Sequence, residues 1–280
     1  MSLQLMYITN RIDVAKIAQE NGVDRIFVDM EHIGKEERQA GMNTVKMFHT
    51  VEDVKRLRAV LDKSQLLVRV NPIHEASGEW CSSKEEIDAV IEAGADMVMI
   101  PMAKTPEELE RFVEYVGGRA KTVFLLETAE ANENAEAMLN IVGIDEVHIG
   151  LNDLHLAYRK NFMFELLCDG TVDRLCDILQ RKNIPYGIGG IAKLGGGLLP
   201  AEYIIAEHYR MGSKAAILSR SFCDIDETMS IVDIERNFRK EVAKIRTFER
   251  AAARFEPEEY ESNRKITARL IKIIAENIGR

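Results

Sequence analysis

Glu127 closes the short apolar run FLLE (124–127), and Asp153 follows the run VHIG (147–150). Two carboxylates at the ends of separate buried-looking runs form a hard-oxygen donor pair. Mg2+ is commonly held by such a pair, with its other positions left to water and substrate. Mn2+ or Co2+ could replace it. Arg69, inside LLVRV (66–70), carries a planar, permanently charged fork suited to a substrate carboxylate. Asp29 and His32 stand three apart in VDMEH (28–32), a spacing that suits a carboxylate orienting an acid–base imidazole. Gly150 lets the backbone approach a ligand closely. With Asn152 it marks the expected substrate-contacting turn before Asp153, where a short helix could offer N–H groups to an anion. A metal, an arginine and a His–Asp pair together suit chemistry through an enolate, with the metal stabilising the developing enolate oxygen.

Each residue also has a plainer reading. Glu127 could be a solvated acid in a strand-to-helix turn. Asp153 could cap a helix over 154–158. Arg69 could form a structural ion pair with Glu127 or Asp29, since an unpaired charge inside an apolar strand is expensive. His32 alone is more often a satisfied polar residue than a catalyst. His49, His74, His148, His155 and His208 read as structural or surface residues, with His155 near enough to Asp153 to line a site. Gly195–Gly197 could cradle a phosphate, but a mobile loop after the seventh strand is the expectation. Met97, Met99 and Met102 read as core or barrel lining.

The elements that must position these residues repeat along the chain. Eight runs read as strands: 4–8, 25–30, 66–70, 96–100, 122–126, 146–150, 184–188 and 214–218. They are nearly continuous apolar runs, as expected of parallel strands covered on both faces. The segments between them have helical spacing. SKEE (83–86) and TPEE (105–108) read as capping boxes, the second with proline in the first turn. This alternation predicts an α/β fold, a (β/α)8 TIM barrel, with a doubly wound open sheet as the runner-up. In a barrel the active site lies at the C-terminal strand ends, which is where Asp29, Glu31, His32, Arg69, Asn71, Glu127 and Asp153 fall. Long connections at 31–49 and 71–82 are expected to be lids or subunit contacts. The barrel domain is expected over 1–250 and a C-terminal helical extension over 251–280. Beyond residue 226 the pattern gives two helices, one more than the barrel needs, and the surplus apolar stripe is expected to meet another subunit.

Composition narrows the class. The 280-residue chain is 46% apolar and 30% charged, enough for a packed core. A net charge of −9 argues against a nucleic-acid surface. No apolar run is long enough for a membrane span, and the N-terminus has no signal-peptide pattern. Cys81, Cys168, Cys176 and Cys223 are scattered without a C-x-x-C pair, so neither a zinc site nor a disulfide framework is indicated. A cytoplasmic protein is expected.

The segments VDMEH (28–32), LVRVNP (67–72), EAGADMVMIPM (92–102), LLETAEA (125–131) and HIGLNDLH (148–155) occur in an order and spacing that resemble the HpcH/HpaI aldolase and citrate lyase beta-subunit family. The resemblance implies Glu127 and Asp153 as metal ligands, Arg69 as the contact for a keto acid, and Asp29 with His32 as the acid–base pair. It implies a homo-oligomer, a trimer or hexamer. The chain departs from the aldolases at Leu125, at Leu151–Asn152, at His155, in the Ile33–Gly34–Lys35 run and in NPIHEASGEW (71–80). The expected activity is a divalent-metal-dependent carbon–carbon lyase. It would cleave a 4-hydroxy-2-oxo acid to pyruvate and an aldehyde through a metal-bound enolate. A citrate-lyase-like acyl-thioester lyase and a catalytically silent metal-binding scaffold are the alternatives.

Overall fold

The computed structural model describes residues 2–35, 49–219, 222–223, 225 and 229–279. Most of the long connection expected over 31–49 therefore lies outside the described residues. Eight parallel strands close on themselves in sequence order. They are β1 (Gln4–Ile8), β2 (Arg25–Asp29), β3 (Gln65–Arg69), β4 (Met97–Ile100), β5 (Lys121–Leu126), β6 (Glu146–Ile149), β7 (Tyr186–Ile191) and β8 (Ala215–Leu218). Pairing of Met6 with Ile217 seals the first strand to the last. The open-sheet alternative is thereby ruled out, and the fold is a (β/α)8 barrel.

The continuous apolar runs have a simple cause: both faces of each strand are buried. Inside the barrel pack Met6, Phe27, Leu67, Met97, Met99, Val123, Leu125 and Ala215. Outside it a larger core fills the space beneath the helices. Met97 and Met99 are barrel lining, as expected. Arg25 of β2 and Glu146 of β6 form a buried two-pronged ion pair, at 2.6 and 2.8 Å. It uses the planar match of guanidinium and carboxylate.

The helices are α1 (Ile12–Glu20), α2 (Val51–Arg58), α3 (Ser83–Glu92), α4 (Pro106–Val116), α5 (Ala129–Glu133), α6 (Ala135–Met138), α7 (Leu151–Ala157), α8 (Thr171–Arg181), α9 (Ala201–Met211), α10 (Ile231–Ala252) and α11 (Pro257–Ile278). Thr105 and Glu108 form the expected capping box on α4, with Pro106 at its start. On α3 the box is one residue earlier than expected. Ser82 and Glu85 make it, and Ser83 and Glu86 are left for other work.

At the C-terminus α10 packs on α1 and serves as the eighth barrel helix. The surplus helix α11 lies against α9 and the 3-10 turn Met163–Leu167, burying Thr267, Ile271 and Ala275. Its buried stripe thus has a partner within the chain, where the sequence pattern pointed to another subunit. Ile266 and Ile273 remain about half exposed. No helix among the described residues is long and apolar enough to cross a membrane.

Candidate active site

The pairing register carries Asp29 and Arg69 to the same level at the C-terminal ends of β2 and β3. Arg69 Nε donates to Asp29 Oδ1 at 2.9 Å and Nη2 to Oδ2 at 2.8 Å. The same Nη2 lies 3.2 Å from Glu31. Below it the guanidinium covers the Phe27 ring at 5.7 Å, an added attraction for a desolvated cation. Lys35 reaches back to Asp29 Oδ2 at 2.7 Å. Burial works to raise the Asp29 carboxyl, but Arg69 and Lys35 outweigh it and hold the group well below the usual carboxylate range. The ion pair between Arg69 and Asp29 entertained from sequence is therefore real. It coexists with a position at the barrel mouth.

Glu127 follows β5 and is 3% exposed, so it is not a solvated turn residue. Its Oε1 accepts the Met102 N–H at 3.2 Å. Met102 has a left-handed φ of 55°, uncommon for a side chain of its kind, and such backbone clusters at functional sites. Thr128 caps α5 through the Ala131 N–H and donates to the Ala103 carbonyl at 2.9 Å, fixing the chain directly after Glu127. Burial first, and the nearby Asp153 charge second, push the Glu127 carboxyl well above its ordinary range, while Arg69 opposes the shift.

Asp153 sits in the first turn of α7, whose cap position is Gly150. The reading of Asp153 as the cap of a helix over 154–158 is therefore overturned. Gly150 is required by Glu127. A Cβ there would lie 2.7 Å from Glu127 Cβ and 2.9 Å from its Oε2. Asn152 is exposed on the same turn. His155 turns back onto its own helix, with Nδ1 at the Leu151 and Asn152 carbonyls.

His32 is half-buried, and its ring stacks on Trp80 with centroids 6.0 Å apart and planes at 23°. The backbone that carries it is anchored by Asn71, whose Oδ1 accepts the His32 N–H at 2.8 Å and the Ile33 N–H at 2.9 Å. Asn71 is held in turn by Glu86 of α3, through Nδ2 at 2.8 Å. The bonds described for the Asp29 carboxylate run to Arg69, Lys35 and the Glu31 N–H. Asp29 thus orients the guanidinium, where the acid–base reading had it orient His32.

Arg69, Asp29, Glu31, Glu127 and Asp153 are therefore brought within electrostatic reach of one another. Among the described residues no group of three or more His, Cys, Asp or Glu is arranged to hold a metal. The donor set is a carboxylate pair. A buried acid near a second acid, with Arg69 opposing its shift, fits a divalent cation that takes its remaining ligands from water and substrate. Sequence reasoning gave Lys35 and Trp80 no role, put Glu86 in a capping box and put His49 among structural residues. His49 Nδ1 accepts the Asp29 N–H at 3.0 Å. The partners of Glu86, Trp80 and His49 are brought near by the barrel and not by the local chain.

The solved structures resembling this chain include an HpcH/HpaI aldolase from Desulfitobacterium hafniense DCB-2, with TM-score 0.61 and 16% identity over 88% of this chain and 93% of that one. An HpcH/HpaI aldolase/citrate lyase family protein from Burkholderia cenocepacia J2315 gives 0.59 and 14%, over 88% and 95%. RipC from Yersinia pestis gives 0.54 and 15%, over 87% and 98%. At these identities the likeness is one of fold. No curated protein matches the chain. The HpcH/HpaI aldolase/citrate lyase model matches residues 4–162, a stretch that holds Asp29, His32, Arg69, Glu127, Gly150 and Asp153. By that match the chain belongs to the HpcH/HpaI aldolase/citrate lyase family, a family of lyases.

Proposed function

We propose that the protein is a divalent-metal-dependent aldolase that cleaves a 4-hydroxy-2-oxo acid to pyruvate and an aldehyde. The observation that carries this reading is the burial of Glu127, 3% exposed, within electrostatic reach of Asp153 and Arg69. Ionising the buried Glu127 carboxyl beside the Asp153 charge is costly, and a cation joining the two acids would offset that cost. A divalent cation held by Glu127 and Asp153, Mg2+ above all, supplies Lewis acidity to the 2-oxo acid.

The chain's own residues do the rest. Arg69 binds the substrate carboxylate. Its contacts with Asp29 use Nε and Nη2, so Nη1 is the edge offered to the ligand. Asp29 and Glu31 fix the plane of the guanidinium, which removes the entropy of placing it at the moment of binding. Gly150 and Asn152 border the substrate at the start of α7. His32, half-buried and held by Asn71 through its backbone, takes the proton from the C4 hydroxyl. The C3–C4 bond then breaks, the aldehyde leaves, and C3 of the pyruvate enolate takes up a proton. A homo-oligomer, a trimer or hexamer, is part of the same proposal. The exposed Ile266 and Ile273 on α11 are apolar surface available for it.

The test is pyruvate release from a 4-hydroxy-2-oxo acid with and without Mg2+, alongside deuterium exchange into the pyruvate methyl group. Both signals are expected in the wild type and lost in Glu127→Ala and in Asp153→Ala. Full turnover in either variant would sink the assignment.

A further inference from the structure

The chain has one tryptophan, and it stacks on the proposed acid–base. Trp80 sits in the connection between β3 and α3, which is tied by hydrogen bonds. Ser77 and Trp80 exchange backbone hydrogen bonds across a tight turn, at 2.9 and 3.3 Å. The His74 ring spans the loop's two ends, with Nδ1 2.7 Å from the Pro72 carbonyl and Nε2 2.7 Å from the Cys81 carbonyl. The His74 backbone N–H donates to Ser83 Oγ at 2.8 Å. That serine is free for the role because the α3 cap falls on Ser82.

A tryptophan so fixed and still 38% exposed keeps apolar ring surface in water beside the site. Leaving such surface exposed is unfavourable unless something covers it. One ring face is taken by His32. In the aldolase reading, on which this inference rests, His32 works at the C4 hydroxyl. C4 becomes the aldehyde carbon. Whatever substituent that carbon carries must therefore lie against the residue stacked beside His32.

We propose that Trp80 is a specificity-determining residue whose indole forms the wall for the aldehyde's substituent, and that this substituent is apolar. The indole offers a broad ring surface and a single N–H donor, so it has little with which to reward a polyhydroxylated or phosphorylated group. Recognition of an apolar group is modest but measurable, since each added methylene in a matched pocket changes kcat/KM by about tenfold or more.

The experiment compares hexanal with glycolaldehyde as partners of pyruvate in the addition direction, for the wild type, Trp80→Ala and Trp80→Phe. The wild type is expected to prefer hexanal. Trp80→Ala should lose about tenfold or more of that preference, with exchange into pyruvate alone unchanged, and Trp80→Phe should retain most of it. Trp80 emission in the wild type should change on adding hexanal with pyruvate, and not with glycolaldehyde. A wild-type preference for glycolaldehyde, equal losses with both aldehydes in Trp80→Ala, or emission indifferent to saturating hexanal each overturn the proposal while leaving the aldolase reading intact. Absence of exchange and addition in the wild type overturns both.

Discussion

Gly150 and Glu127 share one small volume at the barrel mouth: a Cβ on the glycine would stand 2.9 Å from the Glu127 carboxylate and 3.2 Å from Leu125 Cδ1. The contact joins the end of β6 to the residue after β5, and Gly150 N–H donates to the Leu126 carbonyl at 2.9 Å to hold the two strands together there. The glycine is needed because the acid beside it must stay where it is. Its φ lies outside the left-handed region, so the constraint is spatial and not conformational.

Gly150→Ala should therefore displace Glu127 with a modest effect on folding. Overpacking of a single methyl costs about 1–3 kcal/mol. The effect on kcat should be larger, about 100-fold, since a displacement of ~1 Å in a reacting group has that consequence. Thermal melting and steady-state kinetics on the same preparation separate the two. A variant with unchanged kcat would show that Glu127 can move without loss, which is incompatible with a fixed ligand.

Glu127 itself should trade stability for function. Its carboxyl is pushed up in the folded state, by burial first and Asp153 second. The unfolded chain ionises it freely, near a pKa of about 4.3. The folded state thus holds its proton more tightly, and a stability penalty grows as pH rises through the range between the two values. Glu127→Gln removes the charge and keeps an acceptor for the Met102 N–H. It should raise Tm at neutral pH without metal, each ~1 kcal/mol being worth about 2–4 °C in a chain of this size. The gain should vanish near pH 4, where the wild-type acid is protonated in both states. Added Mg2+ should raise Tm in the wild type and not in the variant. A variant less stable than the wild type at pH 7 would contradict the electrostatic account.

The sequence SSKEE (82–86) explains what could and could not be read in advance. It contains two overlapping Ser-x-x-Glu registers, and local chemistry gives no reason to prefer one. The barrel decides. Glu86 faces inward to meet Asn71, so the cap falls on Ser82 and Glu85. The strands were legible because burial on both faces leaves a continuous apolar signature. Glu127, Asp153 and Arg69 could be placed at one rim because a barrel gathers its strand ends there. His49, Glu86 and the Met102 N–H were not, since each is defined by a partner distant in sequence or by a backbone group that no residue type announces. The added helix α11 was visible as a helix, but its docking on α9 depended on packing the pattern does not encode.

Asn71 makes a prediction of its own. It joins Glu86 to the backbone of His32 and Ile33, and it is 2% exposed. Asn71→Ala strands the His32 and Ile33 N–H groups and leaves Glu86 the Asn71 backbone N–H, a loss of about 2–4 kcal/mol from buried groups left unsatisfied. Arg69 and Glu127 are untouched, so the KM for a 2-oxo acid should stay within about twofold while kcat falls about 10- to 100-fold. A rise in KM with kcat preserved would place Asn71 in binding instead of in positioning His32.

Acid stability depends on two buried histidines away from the chemistry, His148 and His208. His148 points inside the barrel, where its Nε2 meets the Gly189 carbonyl at 3.0 Å, and a side chain at Gly187 would collide with its Nδ1. His208 of α9 pairs Nδ1 with Ser213 Oγ at 2.8 Å. His148 Nδ1 and His208 Nε2 are buried without a partner among the described residues. Burial lowers His148 to about 4, and burial with the neighbouring His148 lowers His208 to about 3. In the unfolded chain both return to about 6.5. Between these values the unfolded state binds more protons, so stability must fall as pH drops below about 6.5. Each histidine should cost about 1–2 kcal/mol between pH 6.5 and 5. Asp29 adds to the loss only at lower pH, because its folded value is depressed and its contribution fades below the unfolded carboxylate range. Urea titrations at a series of pH values should show this slope in the wild type and a shallower one in His208→Gln, which keeps a polar group near Ser213 and does not titrate. An unchanged slope in that variant would mean that His208 takes up its proton in the folded barrel, and that the wall around it is wet.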